Sequence, residues 1–475
     1  MFFIKFMTEV DIKNKLMDLY GRWSGNGSMD DIEILPIPQA GGDRLYYRLK
    51  GKRGTCIGTF DSDINESGCF LNLARAFKHN GCSVPGILMS DDDCRFYLQE
   101  DLGDISLFSR LNDEDVESLV KMTLERLVKL QQTDISGWGG LVMSPEFCIR
   151  QVMWDLNYFK YEFLKPSGMM FDEELLENDF ENLAKRLVSI PRACWGFMMR
   201  DCQSRNVMIS DGPVFIDFQG GRFGPCLYDA VSLLWQARAG FSPEFREKML
   251  QHYARLFCGS DSDAAEMLTF KNIIVLFRTL QVIGAYGFRG LVQHRSHFIL
   301  SIPGAIENVR NLANQGVLDE YPELKRTCQS LAEDPRYKKQ SESGKLRVEI
   351  FSFSYKKGYP QDMSGNGGGF MFDCRAMHNP GRYKEYRSLT GLDAPVIQFL
   401  EERGEVQPFL HGAWSLTDPA IERYLSRGFT NLQIGFGCTG GQHRSVYCAE
   451  ATARHVRELF PEAEVLLNHR EQPNK

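Results

Sequence analysis

Two sets of residues in this chain have the types and spacing to handle phosphate. Near the C-terminus, N-L-Q-I-G-F-G-C-T-G-G-Q-H-R-S runs an alternating apolar strand into a glycine turn. Leu432, Ile434 and Phe436 share one strand face, and Thr439, Gly440 and Gly441 let the backbone curl so that successive N–H groups converge on one oxyanion. Arg444 adds a forked, permanently charged donor. Val446, Ala449, Ala453, Val456 and Phe460 follow at near-helical spacing, so the anion would sit at a helix N-terminus. Upstream, M-R-D-C-Q-S-R-N-V-M-I…F-I-D-F-Q offers different tools. Asp201 can accept the proton of an attacking hydroxyl, while Asn206 and Asp217 are oxygen ligands of the kind that hold Mg2+ beside a transferring phosphate.

These sets need separate supports. Residues 31–110 mix short strand-like runs (I-E-I-L-P-I, L-Y-Y-R-L, T-C-I-G-T-F, R-F-Y-L-Q-E) with turns and a helical stretch around Phe70 to Phe77, which suits a small antiparallel sheet with a helix. From about 112 to 318 the pattern is mostly helical, interrupted by a loop-strand-turn-strand block from Gly196 to Phe218. Residues 321–345 read as a linker, most polar over A-E-D-P-R-Y-K-K-Q-S-E-S-G-K. R-V-E-I-F-S-F-S-Y then opens a region of alternating strands and helices, the α/β pattern. The fold class expected is therefore multidomain: a bilobal α+β domain over 10–320, with lobes of about 10–103 and 104–320, then an α/β domain with a phosphate-binding loop over 346–475.

Composition agrees with folded domains. A chain of 475 residues exceeds what one core usually serves, and 43% hydrophobic with 25% charged residues is ample for real cores. The net charge of −7 argues against bulk attachment to nucleic acid. Thirteen cysteines without any C-x-x-C suit reduced thiols in a cytosol. The opening M-F-F-I-K-F-M-T-E-V is too short for a signal sequence, and no run of 18 apolar residues follows, so the reading is a cytoplasmic protein without a membrane partner.

Asp201 and Asn206 have the D-x4-N spacing of the protein-kinase catalytic loop, and I-D-F-Q puts Asp217 where kinases carry the Asp of D-F-G. Taken singly, each is as readily a loop-capping residue. In P-Q-A-G-G-D-R-L-Y-Y-R-L, Gly41 and Gly42 make a glycine turn between two strands, either a cover for nucleotide phosphates or an ordinary hairpin. No G-x4-G-K-[ST] occurs, so a Walker-type loop is excluded.

With G-G-D-R-L-Y-Y-R, Q-E-D-L-G-D and I-D-F-Q-G-G-R-F-G-P-C-L-Y-D-A-V-S-L-L, these residues resemble the aminoglycoside phosphotransferase superfamily, which has the protein-kinase-like fold. The nearer likeness is to its anomeric N-acetylmuramate/N-acetylglucosamine kinases. That resemblance implies ATP and Mg2+ as cofactors, an amino-sugar substrate, Asp201 as catalytic base, Asn206 and Asp217 on the metal, and Gln99, Glu100 and Leu102 in the adenine hinge. Two departures stand out. Met199 replaces the usual loop His, and the strand C-I-G-T-F lacks the phosphate-contacting Lys, for which Arg44 or Arg48 is the candidate substitute. Asp229, in L-Y-D-A, is expected to brace the catalytic loop.

From about Leu346 to Arg470 the chain resembles the C-terminal domain of the RNase adapter protein RapZ, through F-S-F-S-Y-K-K-G-Y-P, M-F-D-C-R…N-P, S-L-T-G-L-D and G-C-T-G-G-Q-H-R-S-V-Y. In that family the domain senses glucosamine 6-phosphate and binds small regulatory RNA. The resemblance carries a sugar-phosphate pocket onto Asp373, Arg375, Asn379, Thr439, Gly440, Gly441, His443 and Arg444, with a phosphosugar effector and RNA or a ribonuclease as implied partners. The family's closing Lys and Arg cluster is absent here, and residues 346–475 hold as many acids as bases, which weakens the case for RNA. Cys438-x5-Arg444-Ser445 also has the spacing of cysteine phosphatases. Cys438 is then either a nucleophile or a small buried thiol at a strand end. A non-enzymatic adapter is the alternative for the whole chain.

Overall fold

The computed structural model describes residues 7–25, 31–38, 44–134, 146–293, 296–299, 301–337, 345–360 and 369–472. They divide into two compact units: Met1–Ala285 with Gly304–Glu333, and Tyr286–Pro303 with Asp334–Lys475. The segment Tyr286–Pro303, expected inside the first domain, groups with the second.

In the first unit, β1 (Glu33–Ile37), β2 (Leu45–Gly51), β3 (Gly54–Phe60), β4 (Ile87–Ser90) and β5 (Phe96–Glu100) form one antiparallel sheet in the order β1-β2-β3-β5-β4. Strand alternation decides its two faces. Tyr47, Leu49, Cys56 and Leu98 bury against Ile12, Leu16, Leu19 and Tyr20 of the helix Glu9–Ser24. A Cβ on Gly58 would come within 2.5 Å of Leu49 on β2 and 3.1 Å of Leu16 on that helix, so a side chain there would press on both. The opposite register positions, Arg44, Tyr46 and Arg48, are thereby left to the other face. The helix Ile64–His79 follows β3, N-capped by Asp63 Oδ1, which accepts from Asn65 N at 2.9 Å and Glu66 N at 3.1 Å.

The remainder of this unit is largely helical, with two small strand pairs set into it. β6 (Trp195–Met198) pairs with β9 (Arg222–Pro225), and β7 (Val207–Ser210) pairs with β8 (Gly212–Phe215), both antiparallel. The loops 199–206 and 216–221 join them. Residues 322–333, expected as the start of the linker, are instead the helix Pro322–Glu333. Leu324, Cys328 and Leu331 give it a buried stripe, Asp179 Oδ2 accepts from Leu324 N at 2.9 Å, and Glu323 Oε1 accepts from Asp172 N at 2.6 Å. High average polarity hid an amphipathic helix.

In the second unit, β10 (Arg347–Ser354), β11 (Gly369–Asp373), β12 (Asn431–Cys438) and β13 (Glu464–His469) make an all-parallel sheet in the order β11-β12-β10-β13. Every residue of β12 is buried, as a central parallel strand requires. Leu432, Ile434, Phe436 and Cys438 join one core with residues of the helices Ala394–Glu402, Val406–Ser426 and Arg444–Leu459. The carboxyl ends of β10, β11 and β12 open on the same edge of the sheet, where ligands of parallel sheets are held.

No single helix among the described residues is long and apolar enough to cross a membrane.

Candidate functional site

The loop between β6 and β7 carries Asp201 and Asn206, and the loop after β8 carries Asp217. The structure brings all three together. Asn206 Nδ2 donates to the Asp201 carbonyl at 2.9 Å, to Asp201 Oδ2 at 3.2 Å and to Asp217 Oδ2 at 3.3 Å. That use of the amide nitrogen leaves Oδ1, the atom a cation would take, on the other edge of the side chain. Gln203 Nε2 donates to Asp201 Oδ1, and Arg278 Nη2 lies 3.3 Å from the same oxygen. The Asp201 side chain is still 43% exposed, open to an incoming hydroxyl. Burial and the neighbouring Asp201 charge raise the Asp217 carboxyl above the ordinary range, against the pull of Gln219 and Arg44.

Two backbone positions here are strained. Arg200 (φ 71°), next to Asp201, and Asp217 itself (φ 62°) are non-glycine residues in the left-handed region. The loop is held in that shape by Asp229, wholly buried in the helix Leu227–Leu234. Its Oδ2 accepts from Met199 N at 2.7 Å and from Gln131 Nε2 at 3.0 Å, and its Oδ1 from Arg200 N at 3.0 Å. Asp229 therefore braces the loop, taking the backbone N–H of Met199.

Of the two arginines considered for the missing lysine, Arg44 is the one that pairs with a carboxylate of the helix after β3. It is buried, donating through Nε to Asp61 Oδ2 at 2.7 Å and through Nη2 to Glu66 Oε1 at 2.6 Å. Gln219 Nε2 bridges Glu66 Oε1 (3.1 Å) and Asp217 Oδ1 (2.7 Å), joining this pair to the Asp217 carboxylate. A helix carboxylate paired with a cation at the sheet edge is the arrangement that phosphoryl-transfer enzymes of the kinase type require. Arg48 is instead committed to Asp101, at 2.8 and 3.0 Å, and to Asp104, at 2.9 and 3.0 Å. It stiffens the segment after β5 that includes Leu102. Gln99 and Glu100 close β5. Glu100 Oε2 accepts from Gly86 N at 3.0 Å and from Lys78 Nζ at 3.1 Å. Gly41 and Gly42 lie outside the described residues.

Among the described residues no group of three or more His, Cys, Asp or Glu side chains is arranged to hold a metal ion. Asn206 and Asp217 still fit Mg2+, because this ion takes one or two protein ligands and fills its shell with phosphate oxygens and water. Glu66, Gln219, Arg200, Asp155 and Arg278 were not singled out from the sequence. Glu66 could have been: it sits in the first turn of the helix after β3, where a partner for a buried arginine is expected.

The second unit gathers its own set of candidate phosphate-binding residues. Four separated motifs converge on the loop after β12. Ser354 Oγ donates to the Thr439 carbonyl at 2.8 Å. Arg444 is buried, and its Nη1 donates to the carbonyls of Arg375 (3.0 Å) and Met377 (2.7 Å), while its Nε has no hydrogen-bond partner. Gly391 N donates to the Gln442 carbonyl at 2.9 Å, and a Cβ on Gly391 would sit 2.2 Å from the His443 carbonyl. His443 Nε2 donates to the Tyr386 carbonyl at 2.9 Å, which leaves Nδ1 as an acceptor in the neutral ring. Gly441 has φ +66°, and Gly440 has open space around its Cα. Asp373 pairs with Arg375 at 2.7 Å, whose hydrogen bond holds the carboxyl below its ordinary value, and Arg375 also lies 4.0 Å over the Tyr355 ring. Asn379 Oδ1 accepts from Gly381 N at 3.1 Å.

Cys438 lies under this loop, 3.1 Å from Ser445 Oγ. Burial raises its thiol, but Ser445 and the backbone N–H groups of Ser445, Gln442 and Gly440 outweigh burial and bring it below the usual value. The same N–H groups that would receive an oxyanion are thus turned toward a sulfur.

Two stretches match known families: residues 33–267 the phosphotransferase enzyme family, and residues 346–473 the RapZ C-terminal domain. The chain carries both domains. Curated relatives named "Nucleotide-binding protein" include one from Thermosipho africanus, 40% identical over 127 residues, and one from Xanthomonas axonopodis pv. citri, 42% identical over 129 residues. Each alignment takes 27% of this chain and 43% of the relative, so the chain spans less than half the length of the curated relatives it matches. Among solved structures, a Plasmodium vivax ethanolamine kinase is 13% identical with a TM-score of 0.47, covering 65% of this chain and 91% of that one. A choline kinase from Cryptosporidium parvum has the same identity and TM-score, covering 68% of this chain and 100% of that one.

Proposed function

We propose that this chain, a phosphotransferase-family domain followed by a RapZ C-terminal domain, is an ATP- and Mg2+-dependent kinase of an amino sugar of the N-acetylglucosamine or N-acetylmuramate type. Its C-terminal domain binds a glucosamine 6-phosphate-like effector and tunes the kinase. The observation that carries the reading is the joined set Asp201–Asn206–Asp217, linked through Gln219 to the Glu66–Arg44 pair.

In this mechanism Asp201 accepts the proton of the acceptor hydroxyl as its oxygen bonds to the γ-phosphorus and the bond to the ADP oxygen breaks. Gln203 and Arg278 fix the Asp201 carboxylate through one oxygen. Asn206 and Asp217 would hold Mg2+, which when bound would offset the charge of the nucleotide phosphates. Arg44, kept in place by Asp61 and Glu66, presents a second cation to them. The converging N–H groups and Arg444 of the C-terminal loop suit a phosphate, and Asp373 and Asn379 suit the hydroxyls and amine of a sugar. The balanced charge of residues 346–475 makes RNA a weak partner for this domain.

The test is ADP release from ATP and Mg2+ with N-acetylglucosamine, N-acetylmuramate, glucosamine and an aminoglycoside, for the wild type and Asp201→Asn, with and without glucosamine 6-phosphate. Turnover on one sugar that vanishes in the variant supports the kinase, and a changed rate with the phosphosugar supports the sensor. Silence across the panel, with the phosphosugar still bound, would shift the reading to a non-catalytic adapter.

A further inference from the structure

The loop after β12 holds a sulfur that binding alone does not require. Cys438 ends β12 and Arg444 opens the helix Arg444–Leu459, so residues 439–443 make the whole connection. Cys438 Sγ lies 3.1 Å from Ser445 Oγ, in the first turn of that helix. The backbone N–H groups of Ser445, Gln442 and Gly440 also reach the sulfur. Thr439 and Gly440, next to it in the chain, are exposed. Burial pushes the thiol of Cys328 up to about 12. At Cys438 burial is outweighed by the Ser445 hydroxyl and the loop N–H groups, and the thiol falls below its ordinary value.

Two buried polar atoms at this loop lack partners among the described residues. Arg444 is 4% exposed; its Nη1 is spent on the carbonyls of Arg375 and Met377, and its Nε is left open. Glu471 follows β13, and its side chain is 6% exposed. Its Cγ is 2.3 Å from where a Cβ on Gly441 would stand, so it lies against the turn itself. Lys357 Nζ takes Glu471 Oε2 at 2.5 Å, while Oε1 has no partner. A donor and an acceptor buried open on one short loop are groups that a ligand completes. A phosphate for the first and a water for the second would do so.

We infer that the second unit is also a phosphomonoesterase, with Cys438 as nucleophile, Arg444 and the loop N–H groups holding the phosphoryl group, and Glu471 as base. This rests on the phosphate reading of the loop given above and goes beyond binding. In the first step the Cys438 thiolate attacks the phosphorus of a monoester monoanion of a sugar or other alcohol. The P–S bond forms, the bond to the ester oxygen breaks, and that oxygen leaves with the proton the phosphate carried. In the second step water attacks the phosphocysteine and Glu471 Oε1 takes one of its protons. The P–S bond breaks to return the thiolate and inorganic phosphate, and Glu471 passes its proton to solvent. The N–H groups on the sulfur serve it twice, as nucleophile and as leaving group.

The test uses the full chain without ATP, incubated with p-nitrophenyl phosphate or glucosamine 6-phosphate, reading nitrophenolate and inorganic phosphate. The wild type is expected to turn over p-nitrophenyl phosphate, and an acid quench to trap a phosphoryl group on Cys438, read by mass spectrometry. Cys438→Ser should lose roughly 1,000-fold or more while melting as the wild type does. Glu471→Gln should keep a burst of one nitrophenolate per chain and slow the steady state by about 100-fold; an equal fall in both phases removes Glu471 from the mechanism. No release above that of Cys438→Ser on either ester overturns the inference. In that event calorimetry with glucosamine 6-phosphate separates the two readings: binding leaves the loop a sensor, and no binding ends the sensor reading as well. Turnover of p-nitrophenyl phosphate with glucosamine 6-phosphate neither bound nor cleaved sustains the phosphatase and removes the amino-sugar effector.

Discussion

Asp229 receives three N–H groups, from Met199, Arg200 and Gln131, and so fixes the direction in which Asp201 points. Burial pushes its carboxyl up to about 7, against those donors. An unfolded aspartate titrates near pH 4, so between these values the folded chain holds a proton that the unfolded one has lost. The stability linked to this group is full below about pH 4, declines as pH rises, and is gone above about 7. Urea midpoints at pH 5 and pH 8 should therefore fall further in the wild type than in Asp229→Asn, which cannot ionise; an identical fall would refute the assignment. Asp201→Asn should lower kcat by about 100- to 10,000-fold while ADP and Mg2+ still raise the melting temperature. For Arg44→Ala, which strands Asp61 and Glu66 without their cation, a loss of about 3 kcal/mol in stability is expected, read by denaturant unfolding.

At this scale the sequence was readable where chemistry fixes spacing. Asp201, Asn206 and Asp217 are close in the chain and have kinase-loop intervals, so their meeting could be foreseen. Gln219 and Arg278 could not be paired in advance, because the contacts of each depend on strand register and on which face a helix turns inward. Arg48 shows the same limit. Its charge made it a phosphate candidate, and only the position of Asp101 and Asp104 reveals that it is engaged elsewhere.

Among elements, the alternating runs of the first sheet and of β10 and β12 were legible from period alone, and the strand–loop–helix at Cys438 to Arg444 followed from its glycines. The helix Pro322–Glu333 was not, since only Leu324, Cys328 and Leu331 mark its buried side among many charges. A chain ending at residue 321 should therefore melt well below one ending at residue 337, because Asp179 and Asp172 lose their partners and the stripe is removed. Gly391→Ala should abolish phosphosugar binding by the second unit while leaving kinase residues untouched: its new Cβ would press on the His443 carbonyl, the start of the anion loop. Calorimetry with glucosamine 6-phosphate checks this, and unchanged affinity would count against the loop as the site.

For the whole molecule, the division into two units was visible in the change from helical text to alternating strands after residue 345. The membership of Tyr286–Pro303 was not visible, because sequence proximity does not say which core a segment joins. All thirteen cysteines are free, so reductant should leave the melting temperature unchanged; a shift would reveal a crosslink that these positions do not form.

The bridge from Glu66 through Gln219 to Asp217 has one more consequence. It is a lever arm: the first turn of the Ile64–His79 helix cannot move without tugging on a carboxylate that would grip the cation. On the proposed mechanism, anything that displaces this helix by an ångström or two will be felt as a weaker hold on magnesium before Asp201 is disturbed. The magnesium concentration that gives half-maximal turnover then serves as a gauge of where that helix stands.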